Sequence, residues 1–277
     1  MRIALGIEYD GTAFSGWQIQ KNDPSVQACL EKALTSVADH PVRVVCAGRT
    51  DAGVHALGQV VHFDSESKRS ERAWVLGVNS DLPQSINVRW ARTVADDFHA
   101  RYSARARSYS YLILNSSVRS ALLRDRAWWV RRALDVESMQ RAGARLVGKH
   151  DFSSFRAAGC QAATPIRNVT RLDIRRLDDS AIRLDITANA FLHHMVRNIA
   201  GTLAMVGRGE KPERWLSEVL EARNRCESGV TAPPAGLYLA HVAYEPVLDQ
   251  PSPPALTRRA LGLSIHDAKP GFPTNLD

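Results

Sequence analysis

Residues 42–63 read VRVVCAGRTDAGVHALGQVVHF. The β-branched run Val42–Cys46 and the run Gln59–Phe63 flank a loop from Gly48 to Ala56, so the stretch predicts two strands around a glycine-bearing loop. Outward on the N-terminal side, Ile3, Leu5, Ile7 and Tyr9 alternate over residues 2–9 and stop at Asp10-Gly11, a strand ended by turn residues. Ser25 is placed to N-cap a helix that runs to about Ala38, with Val26, Leu30, Ala33, Leu34 and Val37 on one stripe. On the C-terminal side, Glu71–Val78 predicts a short helix and Ile86–Val94 a strand. The order is β-α-β-β-α-β, that of a ferredoxin-like unit.

The second half repeats the plan less cleanly. Arg107–Leu114 predicts a strand with Tyr109 and Tyr111 on one face. Asp135–Val147 predicts a helix, and Val169–Ile174 and Ala181–Ala188 predict paired strands. Leu192–Val206 predicts a helix with Val196, Ile199, Leu203 and Val206 buried. Pro212–Glu221 follows as a helix with proline in its first turn, and Leu237–Tyr244 as a strand. The expected fold is α+β: two ferredoxin-like halves with mostly antiparallel sheets and a central cleft. The N-terminal half spans 1–105, with the loop 47–56, and the C-terminal half spans 106–249. Proline enrichment and lost periodicity make 250–277 read as a mobile tail.

At 277 residues the chain is long enough to bury a core without metals or disulfides. No run approaches the roughly 18 apolar residues of a membrane span, so no membrane association is expected. Glu8 and Asp10 in the first apolar stretch argue against a secretory signal. Cys29, Cys46, Cys160 and Cys226 are too far apart for zinc knuckles or CxxC pairs. Scattered thiols suit a reducing, cytoplasmic setting. The net charge is +7, and residues 89–132 alone carry it: ten arginines against Asp96, Asp97 and Asp125. Tyr102, Tyr109, Tyr111, Trp128 and Trp129 interleave with them. Cations with flat rings suit a polyanion such as RNA, although a solvated arginine-rich face has the same composition.

Asp51 sits between Gly48 and Gly53, two residues after Arg49. By itself it suits a turn aspartate. Arg197 by itself suits a solvated helix face, and Tyr109 a sheet core. The wider string GRTDAGVHALGQVVHF, however, resembles the catalytic segment of the tRNA pseudouridine synthase A family, enzymes of the tRNA anticodon arm. Tyr9-Asp10-Gly11-Thr12 with Gly16-Trp17-Gln18 resembles that family's first motif, and Phe98-His99-Ala100-Arg101 with Arg107, Tyr109 and Tyr111 its second. Ser154-Phe155-Arg156, then Thr164-Pro165 with Arg167-Asn168-Val169, then Phe191 with His193-His194-Met195-Val196-Arg197-Asn198, and Ala232-Pro233-Pro234 with Gly236-Leu237 follow in family order. The match runs over residues 3–245.

The resemblance implies an isomerase that converts uridine to pseudouridine at positions 38, 39 and 40 of the anticodon stem-loop, without metal, redox cofactor or energy source. Asp51 is implied as the essential carboxylate, attacking the anomeric carbon or abstracting a ribose proton. Arg197 is implied as its ion-pair partner, and Tyr109 as the ring that stacks on the target base and helps remove the C5 proton. Arg49 is implied to fill the space of the flipped nucleotide. His55, Arg101, Arg105, Arg107, Arg124 and Arg126 are the remaining expected RNA contacts. The partner implied is tRNA, and the working unit a homodimer. Adjacent His193 and His194 carry no expected metal, because neighbours on a helix diverge and no third ligand is evident. A non-catalytic RNA-binding protein on the same scaffold would lack one of Asp51, Arg197 or Tyr109. A glycoside hydrolase would need a second carboxylate, which the loop does not offer.

Overall fold

The computed structural model describes residues 1–255 and 257. Its strands are β1 (Arg2–Tyr9), β2 (Val45–Cys46), β3 (His55–Asp64), β4 (Ile86–Val94), β5 (Ala104–Asn115), β6 (Trp128–Val130), β7 (Gly148–Asp151), β8 (Ile166–Arg176), β9 (Ala181–Ala188) and β10 (Leu237–Tyr244). Its α-helices are α1 (Val26–Ala38), α2 (Glu71–Asp81), α3 (Val136–Ala144), α4 (Met195–Gly207) and α5 (Trp215–Ala222). The strands join one continuous sheet in the order β4-β1-β3-β10-β5-β9-β8-β7, with β2 added to β3 and β6 to β5. Neighbours are antiparallel except β3 with β10 and β5 with β6.

The seam of this sheet positions the loop 47–54. β1 occupies one edge of β3. The other edge is divided: β2 pairs with Val61 and His62, while β10 pairs with His55 and Ala56. The loop therefore leaves the sheet where N-terminal strands give way to C-terminal ones. Two apolar cores flank the seam, one around Leu5, Leu34, Val60 and Trp74, the other around Ile113, Ile174, Leu184 and Leu203. Tyr109 touches both.

Several boundaries differ from expectation for local reasons. The strand expected at 42–46 begins only at Val45. The amide of Val42 is bonded by the Thr35 hydroxyl and that of Val44 by Glu31, so α1 side chains take the bonds a ladder would need. Helix α1 does start after Ser25, whose hydroxyl accepts from the Ala28 amide. Helix α4 starts three residues later than expected, because His194 adopts a left-handed φ of 61°. The start of the supposed mobile tail is tied down: Arg89 donates to the Ser252 carbonyl and Gln250 to that of Val242. The rest of that expectation, at 256 and 258–277, lies outside the described residues.

His62 on β3 joins the two halves of the N-terminal region, accepting the Ala100 amide on Nδ1 at 3.1 Å. Burial, then the neighbouring His99 and Arg2, push its pKa down from 6.5 to about 4. The folded protein thus holds it neutral while the unfolded chain takes up a proton below pH 6.5. Stability is fully present above that pH and is lost as pH falls toward 4. Replacing His62 by asparagine, whose Oδ1 can accept the same amide, should flatten the difference in urea midpoint between pH 7 and pH 4.5. An unchanged difference would show that other groups set it.

Candidate active site

The loop is cradled from below by the first sequence motif. The Tyr9 hydroxyl meets that of Thr50 at 2.7 Å, the Trp17 amide donates to the Thr50 carbonyl, and the Gly53 amide donates to the Phe14 carbonyl. Gln59 holds the Gly48 carbonyl at 2.6 Å. Gly53 has φ of 75°, and an added Cβ would sit 2.9 Å from Pro234, so glycine is required there. Gly48 has no positive φ, and a Cβ would meet nothing within 4 Å. Only one of the two bracketing glycines is thus a backbone necessity.

Asp51 projects from this cradle toward the start of α4. Arg197 donates from Nη1 to Asp51 Oδ2 at 3.3 Å and from Nε to the Ala232 carbonyl at 2.8 Å. The Ala232 amide in turn donates to the Arg197 carbonyl. That segment can lie on α4 because Gly201 has no side chain: a Cβ would stand 1.8 Å from the Val230 carbonyl oxygen. The stripe of Val196, Ile199, Leu203 and Val206 anchors the helix in the core. The Asp51 side chain stays 26% exposed while that of Arg197 is 14% exposed. The pair is accessible from one side, which a macromolecular substrate needs.

Tyr109 on β5 lies opposite Leu239 and Ile186 and meets Phe191 edge-on, with centroids 5.1 Å apart. Burial first, then the charge of Asp51, raises its pKa, so its hydroxyl keeps its proton at neutral pH. The ring is then a stacking face and a proton donor. Acting as proton acceptor would first require a phenolate that this environment disfavours.

The remaining expected contacts divide. Arg49, inside the loop, and Arg101 are exposed. Arg107, expected as an RNA contact, is half-buried and its guanidinium is taken up by the backbone. Its guanidinium donates to the carbonyls of Ala47, Arg101, Ala104 and Asn189 and clamps the start of the loop. His55 is buried: its Nδ1 accepts the Gly11 amide, its Nε2 donates to the Asp125 carbonyl, and its ring stacks on Tyr238. Both ring nitrogens are consumed within the fold, which corrects its assignment as an RNA contact. Arg126 is held by Asp10 at 2.6 Å, Arg124 by Asp125 at 2.9 Å, and Arg105 lies 3.6 Å from Glu245. Arg89, Arg92 and Arg132 likewise pair with Glu8, Glu71 and Glu210. Acids from elsewhere in the chain offset much of the local charge.

The sequence reading missed the histidines. His193 and His194 precede α4 rather than riding on it, and they converge. Their rings lie 4.0 Å apart, with Nε2 of His193 3.4 Å from Asp51 Oδ1 and Nε2 of His194 3.4 Å from Oδ2. The two rings therefore do not diverge as expected, and Asp51 stands as a third group between them. Their position three and four residues before Arg197 was the available signal.

A basic α+β chain with one carboxylate held by arginine and histidines beside a half-buried tyrosine has the makings of an RNA-modifying enzyme. The family model described as tRNA pseudouridine synthase matches residues 6–103 and 142–245. A tRNA pseudouridine synthase A of Pseudoalteromonas atlantica is 56% identical over 88% of this chain and 92% of its own. The Nitrosococcus oceani enzyme of the same name is 56% identical over 91% and 96%. That of Aeromonas hydrophila is 53% identical over 98% of each. The chain belongs to the tRNA pseudouridine synthase family. A solved Cbf5–Nop10–Gar1 complex is similar at 10% identity and a TM-score of 0.33, over 73% of this chain and 45% of that one, too low to bear on fold or function.

Proposed function

We propose that the chain isomerises uridine to pseudouridine at positions 38, 39 and 40 of the tRNA anticodon stem-loop, in the cytoplasm. The observation that carries this reading is the Asp51 carboxylate held by Arg197 at the sheet seam, with Tyr109 beside it, in a chain of this family. In the reaction the N1–C1′ bond breaks, the uracil turns, and a C5–C1′ bond forms while C5 loses a proton and N1 gains one. The composition is unchanged, so no cofactor is consumed. Asp51 attacks C1′ or removes the C2′ proton, and the fixed Arg197 guanidinium orients it for either. The flipped base stacks on Tyr109 and Arg49 enters the vacated space. The family model's two matched stretches and the antiparallel orders β4-β1-β3-β2 and β10-β5-β9-β8 support two ferredoxin-like halves, divided near residue 105 and facing a cleft. Incubating the protein with tRNA carrying 5-tritiated uridine should release tritium and place pseudouridine at those three positions. Release with modification elsewhere would reject the positions, and no release would reject the activity.

Tyr109→Phe keeps the ring and loses the hydroxyl, so turnover should fall about tenfold with little change in affinity. Tyr109→Leu should lose both, affinity by roughly 1–3 kcal/mol of stacking. Equal, small effects in single-turnover assays would make Tyr109 a packing residue only.

Among the described residues, Arg49 and Arg101 are exposed and have no acid within 4.0 Å, so they are better candidates for phosphates than Arg124 or Arg126. Arg49→Gln and Arg101→Gln should each reduce the log–log salt slope of tRNA binding by roughly 0.7–0.9. An unaltered slope would reassign them to the protein surface. The working unit is a homodimer by family resemblance. Light scattering at twice 30.6 kDa supports this, and a fully active 30.6 kDa particle overturns it.

A further inference from the structure

His193 and His194, which the isomerisation above does not use, form a donor set with Asp51. The left-handed turn at His194 and the hydrogen bond from the Met195 amide to the Leu192 carbonyl bend the chain just before α4. Both imidazoles are thereby aimed at one carboxylate. One ligand atom from each residue lies within 4.8 Å of the others; His193 Nε2 stands 3.4 Å from Oδ1 and His194 Nε2 3.4 Å from Oδ2. Tetrahedral coordination with metal–ligand bonds of roughly 2.0–2.1 Å spaces its donors about 3.4 Å apart. Two imidazoles and one carboxylate suit zinc-class ions, whereas magnesium prefers oxygen donors alone. Side-chain exposures of 44% for His193 and 26% for Asp51 leave an entry path and a fourth position for water. Arg197 does not close the site. It approaches Oδ2 and is tethered to the Ala232 carbonyl, so Oδ1 on the His193 side can take an ion once the His194 ring turns from Oδ2 toward it, while Oδ2 keeps its arginine.

We propose that Asp51, His193 and His194 bind one divalent transition-metal ion of the zinc class, and that this ion and the target uridine exclude each other because both require the Asp51 carboxylate. The first half stands on the donor geometry alone; the second rests on the proposed function. A site that closes on zinc-class ions but ignores magnesium would silence the enzyme without disturbing the magnesium that tRNA carries.

The test uses the full chain, stripped of metal by chelation and dialysed to equilibrium against Zn²⁺, with Co²⁺ as the spectroscopic probe. One ion per chain is expected, with the intense visible absorption of a four-coordinate Co²⁺ site. The double variant His193→Ala/His194→Ala and the single variant Asp51→Asn should each lose affinity by at least about tenfold, with unchanged circular dichroism. Adding a tRNA anticodon arm should bleach the Co²⁺ bands of the wild type. Absence of a stoichiometric ion, or equal binding by the natively folded double variant, overturns the site. Bands that persist under saturating RNA overturn the mutual exclusion. Dialysis needs no turnover, so a protein that binds the ion but releases no tritium even when stripped of metal would sink the functional reading and leave the metal site standing. A protein that turns over but binds no ion would do the reverse.

Discussion

Asp51→Asn should lower turnover by on the order of 10⁴-fold or more while tRNA affinity and thermal stability stay near wild type. The size follows from the site: among the described residues the loop offers one carboxylate beside Arg197 and Tyr109, and the reaction needs it ionised, as nucleophile or as base. The fold should tolerate the change. Asparagine keeps the shape, the loop is held by Tyr9, Trp17, Gln59 and Arg107 through other atoms, and the Asp51 side chain is partly solvated. Tritium release under single-turnover conditions, beside a filter-binding isotherm, separates the two quantities. Release within about tenfold of wild type would remove Asp51 from the chemistry.

Arg197→Lys should lower kcat on the order of 10²-fold with a smaller change in KM. Charge is conserved, so geometry is the issue. Arginine uses Nε for the Ala232 carbonyl and Nη1 for Asp51, two directions fixed by one planar group. An ammonium can reach one of these partners, and a hydrogen bond to a charged group contributes roughly 1.5–3 kcal/mol, which corresponds to a loss of about 10–150-fold. The lost bond orients a reacting group, so the effect belongs in kcat. A lysine variant with wild-type kcat would show that Asp51 needs only a nearby positive charge. Stability should fall modestly, because the helix stripe beneath Arg197 is untouched.

Periodicity made most of the regular elements legible. Ile86–Val94, Ala181–Ala188 and Leu237–Tyr244 appear with the expected bounds, because each carries recurrent β-branched, aromatic or leucine side chains between flanking breakers such as Ser85, Ser180, Asn189, Gly236 and Pro246. Trp128–Val130 and Gly148–Asp151 were not legible, since three or four residues are too short to show alternation. The role proposed for Asp51 came only through resemblance. A loop aspartate has no local mark that distinguishes a catalytic carboxylate from a turn residue.

The sequence by itself determined the α+β alternation, the helix caps such as Ser25, the buried stripe of α4 and the family motifs. These follow from side-chain spacing and short-range hydrogen bonding, which act over a few residues. Tertiary structure alone decided which charges are free and which groups meet. Arginines counted as a basic block are paired with Glu8, Asp10 and Glu210, residues remote in sequence. His55 passes from candidate contact to buried tether. His193 and His194 converge through one left-handed residue. Asp51 and Arg197 stand 146 residues apart and touch because β10 takes over the edge of β3 where β2 ends. Local propensity carries no information over that separation; only the burial of both cores against one shared sheet brings the loop to the helix.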